Sequence, residues 1–286
     1  TTYIYTLTLH DALPILKMAP ACRGITSSVG ESGIWMSEKK GDYQLVKDVN
    51  KRLILGVIEG QYVMSRAEIA RITGLSPTTV STLTAELVRD GFVTELGSGP
   101  SRKGRRPIMY QLNRGACYIV GADVGSHDLT VVITDLTTNV ALETKANIAA
   151  LTGQDLVRVL RKSIAEAIAQ SGLDRAKFIG IGVASPGLVD SGRGVVIRAS
   201  NVQWKNLPLK GILEHELGLP VYVENNNYAA ALGEYNKGFA RPVKSFLYLN
   251  VGRGVGAGII IDGRTLHGSG LSAGEIGHLV MDPKGE

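Results

Sequence analysis

The segment Ser65–Pro107 restricts the fold of this 286-residue chain more than any other part of the sequence. Ser65 is followed three residues later by Glu68, and this spacing is typical of a capping box at the start of a helix. The helix is predicted over Arg66–Thr73, and Gly74 suits the left-handed conformation that ends a helix. The pattern therefore predicts a short helix with a capping signal at its start and a stop signal at its end.

Two further helices are predicted on either side of this one. Ser76 is a good capping residue and Pro77 fits the first position of a helix, so another helix begins there. Upstream, apolar residues recur at three- to four-residue spacing as far as Gly60, which predicts an amphipathic helix. Its apolar residues are Leu45, Val46, Val49, Leu53, Ile54, Val57 and Ile58.

A glycine-rich loop follows the third predicted helix and carries four basic side chains between Ser101 and Pro107. Three helices, a tight turn and a basic loop are the layout of a winged helix-turn-helix, which places one helix in the major groove of DNA. The alternative is a small helical domain followed by a solvated, charged linker. The helix spacing, both caps and the basic loop together favour DNA binding.

The residues expected to contact DNA lie on the third helix and on the basic loop. The third helix should bury its apolar side chains, which are Val80, Leu83, Leu87 and Val88. Its hydroxyl side chains suit phosphates and base edges, and they are Ser76, Thr78, Thr79, Ser81, Thr82 and Thr84. Phosphate contacts from the loop are assigned to Arg102, Lys103, Arg105 and Arg106. One such module covers one half-site, so we expect a homodimer or higher homo-oligomer on double-stranded operator DNA.

The charge distribution agrees with this assignment. The chain has a net charge of +5, and residues 43–113 hold ten Lys/Arg against six Asp/Glu, so most of the excess lies in the predicted DNA-binding part. Cys22 and Cys117 are too few and too far apart for a disulfide framework. No long apolar run or signal-peptide pattern is present, so we expect a cytoplasmic protein without a membrane partner.

From Cys117 onward the pattern changes to strands that alternate with helices. The apolar run CYIVGADVG is followed by LTVVITDL, which reads as an alternating strand that closes a tight hairpin. Helices are predicted over Gly153–Ser171 and Asn227–Phe239. Buried strands are predicted at FIGIGVASPG and VYVEN, and FLYLNVGRGVGAGIIIDG predicts two strands joined by a glycine-rich turn. This order predicts an α/β domain.

Five motifs of this second part resemble the ROK family (repressors, open reading frames and kinases). They are GADVG at 121–125, VASPGLVD at 183–190, VENNNYAAALGE at 223–234, LNVGRGVGAGIIIDG at 249–263 and AGEIGH at 273–278. The resemblance implies an actin-like, two-lobed fold of the sugar-kinase type, with the second lobe incomplete. The first part is similar to the head of the family's xylose-repressor-like and N-acetylglucosamine-repressor-like regulators. We therefore expect a non-native or disordered extension at 1–35, a winged helix-turn-helix at 41–114 and a ROK sugar-binding domain at 115–286.

The motifs that the resemblance links to kinase activity are altered. Family kinases hold nucleotide phosphate with a turn resembling Asp-x-Gly-Gly-Thr, but here Ser126-His127 follow Gly125. The second phosphate turn reads Gly252-Arg253-Gly254 instead of Gly-Thr-Gly. Asn226 stands at the position of the catalytic aspartate, and an amide does not accept a proton at neutral pH. We therefore expect a protein that is not an enzyme.

The sugar-contacting positions of the family are better preserved. The resemblance assigns sugar binding to Gly187, Asn201, Asn225, Asn226, Glu275 and His278. Amide and carboxylate groups suit a neutral polyol, because each can hydrogen-bond a hydroxyl. Taken alone, Asn225 and its neighbours could equally cap a helix, and His278 could be a core histidine.

His278 also matches the family's zinc-binding histidine. The remaining ligands of that site, a Cys-x-Cys-Gly motif and a later cysteine, would follow Glu286. We therefore expect zinc only in a longer form of the protein, and no other cofactor.

Together these features predict a sugar-responsive transcriptional repressor of carbohydrate utilisation genes, with a monosaccharide effector. Resemblance to the xylose-repressor-like branch points to xylose or a related aldose. One alternative is an active ROK-type sugar kinase that carries a DNA-binding head. Another is a DNA-bound structural or partner-docking protein that ignores sugar.

Overall fold

The computed structural model describes residues 43–61, 63–98, 107–252 and 254–280. They form two compact units. The first contains the described residues up to Tyr118 together with Asp135–Thr137, and the second contains Ile119–Thr134 and the described residues from Thr138 onward. The predicted extension at 1–35 lies outside the described residues.

The first unit consists of three helices and a small antiparallel sheet. The helices are α1 Tyr43–Gln61, α2 Arg66–Thr73 and α3 Pro77–Arg89. The strands are β1 Met64–Ser65, β2 Val93–Ser98 and β3 Ile108–Leu112. They pair in the order β1-β3-β2, so β2 and β3 flank the segment that carries the basic residues. The three predicted helices and the hairpin of a winged helix-turn-helix are present.

Local sequence signals set the ends of α2 as predicted. The Ser65 hydroxyl accepts a hydrogen bond from the backbone N–H of Glu68 (3.3 Å), and the Glu68 carboxylate accepts one from the backbone N–H of Ser65 (2.8 Å). Gly74 has φ 71°, and its N–H donates to the carbonyl of Ala70, which closes the helix. This reciprocal capping box lowers the pKa of the Glu68 carboxyl below its usual range.

The buried face of α1 differs from its predicted apolar stripe. Ile54 and Ile58 are buried, but the exposed side chains include Val46, Val49 and Leu53. Lys51, only 2% exposed, occupies the buried face instead. The apolar spacing found the helix but not its orientation, because the buried lysine has acidic partners on α3 that the local pattern does not show.

The second unit contains three helices and three sheets. The helices are α4 Gly153–Gln170, α5 Leu209–Leu217 and α6 Asn226–Lys237. The strands are β4 Tyr118–Val124, β5 Asp128–Asp135, β6 Val140–Asn147, β7 Phe178–Ser185, β8 Leu188–Asp190, β9 Val195–Ala199, β10 Trp204–Leu207, β11 Val221–Asn225, β12 Phe246–Val251, β13 Val255–Ile261 and β14 Arg264–Thr265. The α/β prediction is confirmed, although β6, β8 to β10, β14 and α5 were not foreseen.

The five-stranded sheet has the order β11-β7-β4-β5-β6. β11 pairs with β7 in parallel, which brings the ends of both strands to one edge. β5 is a strand as predicted, but the expected alternation of buried and exposed residues is wrong. The six residues Leu129–Thr134 are all buried, because this inner strand is covered on both faces.

The two smaller sheets have the orders β10-β9-β8 and β12-β13-β14. In the second of these, α6 packs closely on β13. A Cβ atom at Gly258 would overlap the Asn227 carbonyl oxygen and lie 2.6 Å from Ala231 Cβ, so glycine permits the approach. Among the described residues, no helix is both long and apolar enough to cross a membrane.

Candidate functional site

The start of α3 carries the residues that the sequence assigned to base and phosphate contacts. Thr78 and Thr82 are exposed, and Ser81 is half-buried. The Ser76 hydroxyl caps the helix by accepting from the backbone N–H of Thr79 (3.1 Å) and lies 2.8 Å from the Thr79 hydroxyl. Thr78 and Thr82 thus present hydroxyl groups to solvent on one face, whereas Ser76 and Thr79 are engaged in capping.

Thr84 corrects the sequence interpretation. It is fully buried, and its hydroxyl donates to the carbonyl of Val80 at 2.6 Å. A hydroxyl four residues along a helix can bond back to the backbone, and this one does so on the core side of α3. Thr84 therefore does not contribute to a DNA-facing surface. Val88, expected in the core, is only half-buried.

The predicted phosphate contacts Arg102, Lys103, Arg105 and Arg106 lie outside the described residues. The strands on either side of them are in place, with Val93 paired to Leu112 and Ser98 paired to Ile108. Tyr110 joins the two strands of the hairpin, because its hydroxyl donates to Glu95 at 3.1 Å, and the Arg66 guanidinium of α2 lies 5.1 Å from the centre of its ring. Burial and the neighbouring Glu95 carboxylate raise the pKa of Tyr110 to about 12.

A buried ionic cluster holds α3 against α1. Lys51 Nζ lies 2.9 Å from Glu86 Oε2 and 3.2 Å from Asp90 Oδ2, and Lys47 Nζ lies 2.7 Å from Glu86 Oε1. The two lysines outweigh the effect of burial and lower the pKa of Glu86 below its usual range. This contact fixes the orientation of the helix that carries Thr78 and Thr82, a feature that the sequence pattern did not reveal.

Three of the predicted sugar-binding residues, Gly187, Asn225 and Asn226, lie at the ends of β7 and β11. Ser185 at the end of β7 pairs with Asn225 at the end of β11. The Asn225 side-chain amide donates to the carbonyl of Gly187 at 2.7 Å. Its oxygen accepts from the backbone N–H of Asn227 (2.8 Å) and Tyr228 (3.4 Å), so Asn225 is the N-cap of α6. The capping role is therefore confirmed, and one amide hydrogen remains for a further partner.

Asn226, which the family resemblance assigns to the catalytic position, is the first residue of α6. Its side chain is half-buried, and among the described residues it makes no hydrogen bond. The next residue, Asn227, accepts a hydrogen bond from the Asn250 amide at the end of β12 (3.0 Å). Asn226 therefore offers a free amide beside a rigid helix start, which is suited to binding a hydroxyl.

Gly187 is where the chain must turn most tightly at this edge. It has φ 80°, a left-handed conformation that favours glycine. A Cβ atom there would overlap the Arg198 carbonyl oxygen and lie 2.7 Å from Ala199 Cα. Its functional role is thus the turn itself. Asn201, exposed in the short 3₁₀ turn after β9, follows the segment on which Gly187 packs.

Glu275 and His278 lie together in the segment that follows β14. His278 Nε2 is 3.8 Å from Glu275 Oε2, and the His278 side chain is 85% exposed. Gly274 packs so closely on β13 that a Cβ atom would overlap the Ala257 carbonyl oxygen, and its own carbonyl accepts from the Ala257 N–H at 2.8 Å. These contacts hold the backbone next to Glu275 against β13.

His278 does not form a metal site with the described residues. Apart from Glu275 at 3.8 Å, no metal-ligating side chain is paired with it, and no group of three or more His, Cys, Asp or Glu residues in the described ranges could hold a metal ion. A structural zinc site needs four ligands. The described residues thus do not fit zinc by themselves.

Three residues near this site were not assigned a role from the sequence. His267, after β14, lies 3.1 Å from Glu224 Oε2 and stacks on Tyr228 with ring centroids 4.5 Å apart. Glu224 belongs to the same motif as Asn225, which was a usable signal. The partnership with His267 was not visible, because 43 positions separate the two residues.

Asp123 is a further acidic residue of the second unit to which the sequence analysis assigned no binding role. It lies in the retained Asp-Val-Gly turn motif at the end of β4 and makes no hydrogen bond or ion pair with the described residues. Burial raises the pKa of its carboxyl to about 6. A half-buried carboxyl whose charge is poorly solvated, without a compensating charge among the described residues, is costly to the fold and is typical of functional positions.

Comparison with known proteins agrees with both units. The ROK family model matches residues 119–286, and a winged helix-turn-helix DNA-binding model matches residues 47–94. The xylose repressor of Caldicellulosiruptor bescii is 36% identical over 85% of this chain and 61% of its own length. The DNA-binding transcriptional dual regulator NagC of Escherichia coli is 31% identical over 86% of this chain and 61% of its own length.

Solved structures give the same result. A ROK family transcriptional regulator, described as a homologue of the E. coli Mlc protein, has a TM-score of 0.71 at 29% identity, over 84% of this chain and 61% of that one. A ROK family glucokinase from Streptomyces griseus, solved with glucose and AMPPNP, has a TM-score of 0.52 at 30% identity, over 59% of this chain and 52% of that one. The chain spans about three fifths of the length of the curated relatives it matches. It belongs to the ROK family, with a winged helix-turn-helix region preceding the ROK domain.

Proposed function

We propose that this protein is a sugar-responsive transcriptional repressor of carbohydrate utilisation genes that acts in the cytoplasm. The observation that carries the proposal is the similarity to repressors over 85% of the chain, across the DNA-binding region and the ROK domain. We divide the chain functionally into a DNA-binding part at 41–114 and a sugar-sensing part at 115–286. The effector is a monosaccharide, and xylose is the first candidate because the matched C. bescii relative is a xylose repressor.

The DNA-binding part uses the exposed start of α3 for the major groove and the basic segment between β2 and β3 for phosphates. Thr78 and Thr82 are the exposed hydroxyl groups of that helix. Short hydroxyl side chains can contact either phosphates or base edges, while arginine and lysine supply the salt-dependent affinity. A homodimer on a palindromic operator follows from one recognition helix per chain.

The sugar-sensing part binds sugar without phosphorylating it. Asn226 replaces the family's catalytic aspartate, and its amide has hydrogen-bonding capacity but no capacity to accept a proton. Asn225, Asn226 and Glu275 provide polar groups for hydroxyls, with Asn201 and His278 at the exposed margin and Gly187 shaping the turn. Sugar binding that is coupled to DNA binding by about 1–3 kcal/mol would lower operator affinity roughly 5- to 150-fold.

The proposal is tested by DNA binding in the presence of sugars. Double-stranded DNA selected by the protein from a random library serves as the operator probe, and affinity is measured with and without D-xylose, D-glucose and N-acetyl-D-glucosamine. We expect one sugar to weaken binding, and a non-cognate sugar such as L-glucose to have no effect. Operator affinity that no sugar changes would favour a DNA-bound protein that ignores sugar.

An active sugar kinase is the second candidate function, since the match to the S. griseus glucokinase and the retained Asp123 favour it. A coupled ATP-turnover assay with the same sugars distinguishes the two functions. We expect no turnover above a blank, and none from Asn226→Asp, because both phosphate turns also differ from those of the kinases. Clear turnover by the unaltered protein would establish the kinase instead.

A further inference from the structure

A side-chain cluster lies beside the proposed sugar-binding residues and connects three segments of the second unit. His267 Nε2 is 3.1 Å from Glu224 Oε2 at the end of β11. The His267 ring stacks on Tyr228 of α6, with centroids 4.5 Å apart and 28° between the planes. The Tyr228 hydroxyl donates to the carbonyl of Leu266 at 2.7 Å. The residues Glu224, Tyr228, Leu266 and His267 are called the His267 cluster below.

Glu224 connects this cluster directly to Asn225. One oxygen of its carboxylate accepts the backbone N–H of Asn225 at 2.7 Å, while the other faces His267. Asn225 in turn caps α6 and bonds the carbonyl of Gly187. A single carboxylate therefore contacts both the start of the helix that carries Asn226 and the segment after β14.

That segment runs from the His267 cluster to Glu275. Its far end is held by the hydrogen bond from Ala257 N–H to the Gly274 carbonyl, and Gly274 lies directly beneath the Tyr228 hydroxyl. Its near end is held by Leu266, whose N–H donates to the Ile259 carbonyl of β13 at 2.9 Å and whose carbonyl accepts from the Tyr228 hydroxyl. The His267 side chain adds the contact of this end with Glu224. Losing the His267 contact would uncouple this end from Glu224 and leave it held by the bonds of Leu266.

We propose that His267 is a positioning residue for sugar binding: through Glu224 and Tyr228 it holds the Glu275 segment against the start of α6. This inference rests on the proposed sugar site, because it assumes that Glu275 and Asn226 bind one ligand together. His267 itself acts through its neighbours and need not touch the sugar. Because the contact joins a histidine to a carboxylate, the positioning depends on pH.

The direction of that dependence follows from the groups that face His267. Glu224 of β11 and the Tyr228 ring of α6 face His267. The Glu275 carboxylate also acts electrostatically on the Tyr228 hydroxyl. The hydrogen bond to Glu224 raises the pKa of His267 against the opposing effect of burial. The charged pair is therefore complete below the ordinary pKa of histidine and is lost as pH rises through the raised value.

The experiment measures sugar affinity by calorimetry on the whole chain between about pH 5.5 and about pH 8.5, where free histidine changes charge. The probes are D-xylose, D-glucose and N-acetyl-D-glucosamine. His267→Phe keeps an aromatic ring for Tyr228 but removes the hydrogen bond, and His267→Gln keeps a donor that does not titrate. His215→Gln, an exposed histidine on α5, is the matched control.

We expect the unaltered protein to lose affinity roughly three- to five-fold as pH rises across this range, since a charge-assisted hydrogen bond is about twice as strong as a neutral one. His267→Phe should bind about ten-fold more weakly at the acidic end and show a flatter profile. His267→Gln should recover most of the lost affinity yet keep the flat profile. His215→Gln should behave like the unaltered protein. Because Asp123 titrates near pH 6, the difference between His267→Gln and the unaltered protein isolates the contribution of His267.

Parental affinity and parental pH dependence in His267→Phe would overturn the inference while leaving the proposed function intact. If the unaltered protein binds none of the three sugars, the sugar-sensing proposal fails for these probes, and amide hydrogen exchange then decides the positioning role. In that measurement we expect the amides of residues 268–275 to exchange about ten-fold faster in His267→Phe than in His215→Gln. Equal exchange in the two variants would refute the role of His267.

Discussion

The two units of this protein are specified by contacts of different range. In the first unit, the starts of α2 and α3 are fixed by residues three positions apart, Ser65 with Glu68 and Ser76 with Thr79. In the second unit, the contacts around the proposed sugar site join positions far apart in sequence, such as Gly187 and Asn225. Local patterns are therefore sufficient to recognise the first unit, whereas the site of the second depends on the assembled sheet.

The units also treat buried charge differently. In the first, Lys51 is buried but fully paired with Glu86 and Asp90, so the charge stabilises the packing of two helices. In the second, the pKa of the half-buried Asp123 carboxyl is raised by burial alone, without a compensating charge among the described residues. Unpaired polar groups of this kind destabilise a fold, which indicates that the edge of the second unit's sheet is adapted for binding.

The largest expected effect tests the long-range contacts. Gly187→Ala should destabilise the second unit by about 3 kcal/mol or more, because the added Cβ meets backbone atoms of Arg198 and Ala199 and the left-handed φ disfavours alanine. Urea unfolding measures the loss. Gly211→Ala is the control, since its Cβ meets no atom within 4 Å and alanine in α5 should add about 0.5–1 kcal/mol. A stable Gly187→Ala variant would show that the turn tolerates a side chain.

The next effect tests the buried charge of the first unit. Lys51→Met should cost about 2–3 kcal/mol, because it leaves Glu86 and Asp90 without their shared cation in a mostly buried position. Lys47→Met, which removes a more exposed partner of the same Glu86, should cost less than about 1 kcal/mol. Thermal unfolding of both variants compares the two lysines. Equal losses of stability in the two variants would mean that the burial of Lys51 does not increase its contribution to stability.

A third prediction concerns Asp123, where the substitution should stabilise the fold instead of destabilising it. Because burial raises the pKa of Asp123 to about 6, the folded protein holds this proton more tightly than the unfolded chain does, and ionisation destabilises the fold. Asp123→Asn should therefore stabilise the protein by about 2 kcal/mol near pH 8, with most of the gain lost near pH 4. Unfolding at the two pH values measures it.

The control for this prediction is Asp128→Asn, which changes an exposed carboxyl on the adjacent strand. Its stability should match that of the parent at both pH values. If Asp123→Asn gains nothing near pH 8, the carboxyl has a stabilising partner or is solvated.

The smallest effect on stability is expected in the basic segment between β2 and β3, where substitutions should change DNA binding only. Arg105→Ala with Arg106→Ala should reduce the slope of log affinity against log salt by about 1.8, the amount for two phosphate contacts. Arg158→Ala with Lys162→Ala removes the same charge from exposed positions on α4 and should leave the slope unchanged. DNA titrations at several salt concentrations compare the pairs. Equal slopes in both variants would exclude these arginines from the DNA interface.

Sequence patterns predicted where helices begin and end better than they predicted which side chains those helices bury. The bounds of α2 and the first residue of α3 follow from capping residues, because capping is decided within one helical turn. The spacing of apolar residues located α1 but not its buried face, and the hydroxyl of Thr84 was assigned to the wrong side of α3. For α1 the deciding neighbours lie on another helix, where spacing along the chain gives no information. Thr84 instead lies four residues after Val80 and three before Leu87, so the helical spacing already placed it on the buried face.

In the proposed sugar site, too, the sequence identified individual residues but not the contacts between them. Family motifs identified Asn225, Asn226 and Glu275, because each lies in a contiguous run of matching residues. They did not reveal that Asn225 also caps α6, or that His267 faces Glu224. Such contacts form only when β11, α6 and the segment after β14 come together, so no single motif contains them.

By itself, the sequence determined the three-helix head, the α/β character of the second unit, its ROK motifs and the presence of an amide, Asn226, where the family resemblance leads us to expect a carboxylate. Those features depend on local backbone preferences and on the chemistry of individual side chains. Only the tertiary structure decided which face of α1 is buried, that burial acts on Asp123 without a compensating charge among the described residues, and that His267 lies 3.1 Å from Glu224. These properties depend on burial and on distances between remote residues, and both exist only in the folded chain.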